Sequence, residues 1–200
     1  MCDTFRFSKN VMGLWLVQEC RNTWSHQGET LSYDEITRLA ANEEPLRSVI
    51  DPDANDFLKH GDMPSRIQAY CRHVGEQVPE SKGAIVRCAL DSIALKYRWI
   101  IERLEAILDR KVEVIHIVGG GTKNRLLSQL TADATGRPVL TGPVEATSIG
   151  NLLTQAIALG ELSSLDEARE VVRRSFPIET FLPYQPEAWT EAYSRLGQLL

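Results

Sequence analysis

Val112–Val118 reads as a short apolar strand, and Gly119, Gly120 and Gly121 follow it with no side chain among them. From Lys123 to Thr135 apolar residues recur at helical spacing, with Leu126, Leu127, Leu130 and Ala134 on one face. A strand that passes into a helix through bare backbone leaves few architectures open. Gly136 ends the helix and Pro138–Thr141 reads as a second strand. Thr147–Leu159 is a further helix, stopped by Gly160. Strand, helix, strand, helix implies parallel βαβ winding, so this half is α/β.

The first half is helical. Thr4–Ser8 alternates polar and apolar residues and reads as a strand, followed by a helix from about Asn10 to Trp24. Ser32–Asn42 is the next helix, with Ser32 and Glu35 spaced as a capping box. Residues 45–63, rich in Pro, Asp and Gly, form an irregular connector. Pro64 opens a helix that places Ile67, Tyr70, Cys71 and Val74 on one face. Ser81 caps a long helix ending near Leu108, whose stripe Ile85, Cys88, Ala89, Ile93, Tyr97, Ile100 and Leu104 is widened by Val86, Leu90 and Ala94. A helix this apolar packs on two sides. Helical patterns over 165–174 and 187–199 complete the chain.

Composition narrows the function classes. The 22 basic and 27 acidic residues are dispersed, and no Lys/Arg cluster exceeds the pairs Arg6/Lys9 and Arg173/Arg174. The footprint of a nucleic-acid binder is therefore absent. The apolar runs are too short to span a membrane, and the N-terminal residues do not read as a secretory signal. Four cysteines, none in CxxC spacing, do not make a disulfide scaffold, and a cytoplasmic location is expected. His26, His60 and His73 have no metal-ligand spacing to one another or to cysteine, so no metal site is expected from them.

The glycine loop carries the chemistry. Glycine lets a ligand approach the backbone and tolerates positive φ, and the following helix offers unpaired N–H groups and a positive dipole end. A tight βα turn without ligand is the plain alternative. A dinucleotide fingerprint would need glycine at position 124, where Asn124 stands, and a Walker loop would need a Gly-Lys-Ser/Thr that does not follow. A nucleotide site of another class, or no site, is left.

Val114–Val139 running into Gly142–Asn151 closely resembles the adenosine-binding segment of the FGGY carbohydrate kinases. Lys9–Glu19, Ile50–Asp53 with Asp62–Pro64, and Arg87–Tyr97 extend the resemblance in the same order over nearly the whole chain. It implies an α/β, ribonuclease H-like (actin-like ATPase) C-terminal lobe, helix-rich, comprising residues 1–200. It also implies transfer of the ATP γ-phosphate to a ketose hydroxyl, L-rhamnulose giving L-rhamnulose 1-phosphate, with xylulose as the alternative sugar. A non-catalytic adenine-nucleotide-binding module, or a remnant, is the reading from a different class.

By the same resemblance Gly120 contacts nucleotide, Gly119 and Gly121 shape the loop, Asn124 lies near the adenosine, Gln18 contacts ATP and Asn10 contacts sugar. The implied cofactors are ATP and Mg2+, the metal held mainly by groups outside this chain. Gln18 follows Val11, Leu14 and Trp15 by seven, four and three residues. It therefore reads as a polar group on an apolar face, a satisfied core glutamine if not a ligand contact. Asn10 has an alternative as helix N-cap. Asp133 reads as a helix-end hydrogen-bonder and His116 as a core histidine. Cys71 and Cys88 match positions paired in some relatives; two buried thiols in contact are expected here.

The resemblance also implies what lies elsewhere. The aspartate that takes the sugar's proton, the first phosphate loop and most sugar contacts precede this segment. The chain is expected to begin in the last of the lobe's first strands, leaving an incomplete sheet, no catalytic residue and a missing N-terminal lobe as partner.

Overall fold

Among the residues described by the computed structural model, 7–200, the first helix starts later than its sequence pattern suggests. The strand expected at Thr4–Ser8 lies outside them over residues 4–6. Helix α1 spans Trp15–His26, with Leu14 at the N-cap and no side chain capping it. Asn10 is therefore not the cap. The stretch before Trp15 is held out of the helix: Asp53 Oδ1 accepts the Met12 N–H at 2.7 Å, and the Phe57 carbonyl accepts the Trp15 Nε1–H at 3.1 Å.

Helix α2 (Tyr33–Ala41) has the capping box read from its sequence, with Ser32 and Glu35 reciprocally bonded. The connector is irregular apart from a 3-10 turn at Asn55–Phe57. Asp62 caps α3 (Met63–Val74), which carries Pro64 in its first turn and ends at a left-handed Gly75. Ser81 Oγ accepts the Ala84 N–H at 2.9 Å and starts α4, Lys82–Leu108. Helix α8 (Trp189–Leu199) packs on α4, which also touches α1, α2 and α3. They form one compact unit, which runs to residue 110 and takes in 188–200.

Helix α4 is buried without interruption from Ile85 to Lys96. Its apolar residues meet Leu16, Cys20 and Trp24 of α1, Ile36 and Ala40 of α2, and Ile67 and Cys71 of α3 in one core. Fully burying a side chain such as Ile93 or Leu95 contributes about 1.5–3 kcal/mol. Three buried polar groups of α4, Asp91, Ser92 and Lys96, have partners on the connector. Asp91 accepts the Arg87 Nε–H at 2.8 Å and the Leu46 N–H at 2.7 Å, Ser92 Oγ accepts the Ile50 N–H at 3.0 Å, and Lys96 donates to Asp51 at 2.7 Å. Burial pushes the Asp91 carboxyl above its ordinary range, against the pull of Arg87.

Residues 111–187 form the second unit. It contains β1 (Ile115–Ile117), a 3-10 turn at Gly119–Lys123, α5 (Arg125–Thr135), β2 (Val139–Thr141), α6 (Ala146–Ala158), α7 (Leu165–Ser175) and β3 (Glu179–Phe181). β1 and β2 pair in parallel, Ile115 opposite Val139 and Ile117 opposite Thr141, as the βαβ rhythm predicts. The pairing of β3, antiparallel to β2 with Val139 opposite Phe181, is not signalled by the sequence; three residues are too few for an alternation. Helix α5 packs on β2 and β3.

Two expectations are corrected. The strand expected over Val112–Val118 is three residues long, and its His116 is exposed rather than in the core. β1 is an outer strand of the described sheet and alternates half-buried, exposed, half-buried, so only one of its faces is covered. Helix α6 is apolar yet has no buried residue. Among the described residues no helix is long and apolar enough to cross a membrane.

At Gly83 helix α4 lies close against the C-terminal end of α2. A Cβ there would lie 2.7 Å from the Leu39 carbonyl oxygen and 2.8 Å from Glu43 Oε1. Gly83→Ala gains helix propensity of under about 1 kcal/mol but forces the backbones apart at about 1–3 kcal/mol. The expected outcome is a lower urea midpoint for the variant; a midpoint equal to or above that of the parent would show that α2 yields freely.

Candidate functional site

The glycine run begins where β1 stops. Gly119 takes a φ of 78°, a left-handed conformation that turns the chain out of the strand. Its N–H donates to the Pro143 carbonyl at 3.3 Å, and the Gly142 N–H donates to the Ile117 carbonyl at 2.9 Å, so the ends of β1 and β2 are stitched beyond their ladder. The Gly119 carbonyl accepts the Thr122 hydroxyl at 2.8 Å. The loop is thereby wound into one turn of 3-10 helix, Gly119–Lys123, rather than the plain loop expected. The helix that follows starts at Arg125 instead of Lys123, because Asn124 breaks the winding and caps it: Asn124 Oδ1 accepts the Leu127 N–H at 2.9 Å.

The three glycines do different things. Gly119 supplies the left-handed bend. At Gly121 a Cβ would make ordinary contact with Ile117 Cγ2 at 3.7 Å. At Gly120, exposed, a Cβ would meet nothing within 4 Å and φ is not positive. The protein's own packing therefore does not require glycine at 120, and bare backbone faces open space there. The first N–H groups of a helical turn have no acceptor inside it, and the α5 dipole adds positive potential at the same end. Lys123 is exposed beside them, whereas Arg125 pairs with Glu179 and lies over the Phe181 ring at 5.6 Å. The Asn124 amide oxygen is committed to the cap, which leaves its NH2 as the donor available to a ligand.

At the far end of α5, Asp133 behaves as the helix-end hydrogen-bonder expected. Its Oδ1 accepts Gln129 Nε2–H and the Tyr184 N–H, both at 2.7 Å, tying the segment after β3 to the helix.

Gln18 and Asn10 lie in the first unit, the glycine turn and Asn124 in the second. Gln18 is exposed on α1 and is not a core glutamine. The buried face of α1 is that of Leu16, Val17, Cys20 and Trp24, which lies nearly opposite Gln18 around the helix. Val11 and Leu14 precede the helix, so their spacing to Gln18 carries no facial information. The buried polar residue of this helix is Glu19, which sequence reasoning missed. Its carboxylate accepts Asn22 Nδ2–H at 2.8 Å and the Gly61 N–H at 3.4 Å and meets His60 Nδ1 at 3.2 Å. It borders a cavity of about 300 Å³ with Asn22, Thr23 and Asp62. Its place next to Cys20 and three residues after Leu16 was the available signal. Asn10 is exposed.

Cys71 and Cys88 are buried and free. The Cys88 thiol is held well above its ordinary range, first by its hydrogen bond to Cys71 and then by burial. Among the described residues no three His, Cys, Asp or Glu side chains gather to hold a metal ion.

The profile of the FGGY family of carbohydrate kinases, C-terminal domain, matches residues 1–159. The rhamnulokinase of Bacteroides thetaiotaomicron is 45% identical over 190 residues, which is 95% of this chain and 38% of that protein. The rhamnulokinase of Enterococcus faecalis is 44% identical over 181 residues, 90% of this chain and 36% of its own length. The chain thus spans little more than a third of these relatives. Among solved structures, the xylulose kinase of Rhodospirillum rubrum superposes with a TM-score of 0.63 at 18% identity, over 92% of this chain and 36% of that one. The Plasmodium falciparum glycerol kinase with ADP gives 0.62 at 17% identity, over 90% and 36%. These structures share the fold, the helix-rich α/β lobe of actin-like ATPases. With its glycine turn between β1 and α5 inside the matched residues, the chain belongs to the FGGY family of carbohydrate kinases, of which it carries the C-terminal domain.

Proposed function

We propose that residues 1–200 are the nucleotide-binding lobe of an ATP-dependent ketose kinase that phosphorylates L-rhamnulose to L-rhamnulose 1-phosphate in the cytoplasm. The observation that carries the nucleotide reading is the open space above Gly120, at a turn whose N–H groups and helix dipole favour an anion. The sugar assignment is supported by the two rhamnulokinases, at 45% and 44% identity.

In this reading ATP supplies the γ-phosphoryl group. Gly119 bends the backbone, Gly120 offers it without a side chain, Gly121 completes the turn and Asn124 presents its NH2 to the adenosine. Gln18, exposed on α1, meets the nucleotide, and Asn10 meets the sugar. The described residues build no carboxylate cage, so Mg2+ would be held by the nucleotide's phosphates and by groups outside this chain. Phosphoryl transfer depends on alignment and charge neutralisation more than on covalent help from the protein. This chain's share is alignment of the donor.

Gly120→Val and Gln18→Ala test the nucleotide reading in calorimetric titrations with MgATP. Both positions are exposed, so thermal midpoints should barely move. Affinity should fall about tenfold or more for Gly120→Val and by a smaller factor for Gln18→Ala. Unchanged affinity in Gly120→Val would remove the turn from the binding site.

No residue of this chain is assigned as the base for the sugar hydroxyl. The 200-residue polypeptide by itself should therefore release no ADP on addition of L-rhamnulose in a coupled assay. Robust sugar-dependent turnover would mean that a base lies within these residues and that the division of roles is wrong.

A further inference from the structure

The segment that carries Asn10 is irregular and exposed, yet it is anchored two residues later. The Met12 N–H donates to Asp53 Oδ1 at 2.7 Å. Asp53 belongs to the connector, and its other oxygen, Oδ2, lies 3.4 Å from Lys96 Nζ. Lys96 is a buried residue of α4, its side chain 5% exposed, and it also donates to Asp51 Oδ1 at 2.7 Å. Asp51 Oδ1 in turn accepts the Asp53 N–H at 3.1 Å. The Lys96 ammonium lies over the Trp99 ring at 5.0 Å, which closes its remaining side.

We infer that Asp53 and Lys96 are positioning residues for the sugar contact: α4 sets the place of Asn10 through the chain Lys96, Asp53, Met12. This rests on the reading of Asn10 as a sugar-binding residue.

Three features point to positioning beyond a general contribution to stability. A lysine buried to this degree is retained only with charge partners, and here both partners lie within one short turn of the connector. One of those partners spends its second oxygen on a backbone N–H of an otherwise irregular segment, a charge-assisted bond that sets the segment's path and height. The Trp15 Nε1–H to Phe57 carbonyl bond fixes the other end of the same stretch to the same connector. Asn10 therefore starts a span tied at residues 12 and 15 to a segment that α4 holds. A polar contact misplaced by about an ångström loses much of its effect, so the anchor governs ligand affinity without touching the ligand.

The test uses the 15N-labelled 200-residue chain with Asp53→Ala and Asp53→Asn. Amide exchange at Met12 reads the anchor, and the shift of the Asn10 side-chain amide on titration with L-rhamnulose reads the contact. In Asp53→Ala the Met12 amide should exchange about tenfold faster or more, and the sugar titration should move to about tenfold higher concentration. Asp53→Asn keeps an acceptor for Met12 and should restore much of the protection and part of the affinity. Should Asp53→Ala fail to fold, Asp53→Asn carries the test by its intermediate values. A Met12 amide that is released while the sugar midpoint stays put overturns the inference, as does unchanged Met12 protection. If the unsubstituted chain shows no response of Asn10 to the sugar, the reading of Asn10 is what fails. The positioning role then falls with it, while the Met12 data still report whether the anchor exists.

Discussion

Helix α4 has to bury Arg87, Asp91, Ser92 and Lys96 inside an apolar core, and the rest of the first unit is arranged around that requirement. Isolated charges in such a place cost several kcal/mol each unless they are paired and hydrogen-bonded. The solution is a set of polar side chains, spread around the helix, that take up the connector and the Glu43 carbonyl just before it as partners. Arg87 reaches the Glu43 carbonyl, Asp91 the Leu46 N–H, Ser92 the Ile50 N–H, and Lys96 the carboxylates of Asp51 and Asp53. The partners advance along the connector as the donors and acceptors advance along the helix. A segment without regular structure thereby has its path dictated residue by residue. Leu46 is even held at a φ of 59°, a conformation that costs a leucine energy and that the Asp91 carboxylate helps to maintain.

The second unit solves a different problem with backbone alone. Its sheet is small, three strands of three residues each among the described residues, and the glycine turn is stabilised by bonds between loop ends. The bonds from Gly119 to Pro143 and from Gly142 to Ile117 join the exit of β1 to the exit of β2. Asn124 then starts α5 within reach of that turn. The outcome is a surface made of peptide groups and a helix end, with no side chain at position 120 to obstruct it. In the proposed function such a surface would hold a ligand by shape and dipole, and substitutions that add volume should matter more there than changes of charge.

Much of this was legible from one dimension. The capping box at Ser32 and Glu35, the Ser81 cap and the glycine stop at 136 are local codes, satisfied by neighbours within four residues. The parallel β1–β2 pairing was legible for a related reason, since a single helix between two strands leaves little choice of winding. The departures share a cause as well. Helix α1 starts later than its pattern because the pull on Met12 and Trp15 comes from residues 53 and 57. The burial of Glu19 rather than Gln18 stems from that same start, since it decides which face of α1 turns inward. His116 reads as core in an apolar run and is exposed because only one face of β1 is covered. β3 has no pattern of its own and is a strand only because β2 offers it a partner.

The order of amino acids therefore settled where the helices run and the capped starts of two of them, the strand-to-helix passage through three glycines and the family to which the chain belongs. These depend on short-range hydrogen bonding, side-chain volume and recurring spacing, all of which a linear text carries. Folding in three dimensions decided which polar groups are enclosed, how the connector runs and that Met12 is anchored through Asp53 to Lys96. It also left open space above Gly120. Those outcomes depend on contacts between residues some 40 positions apart, where desolvation of a few charged groups outweighs any local preference.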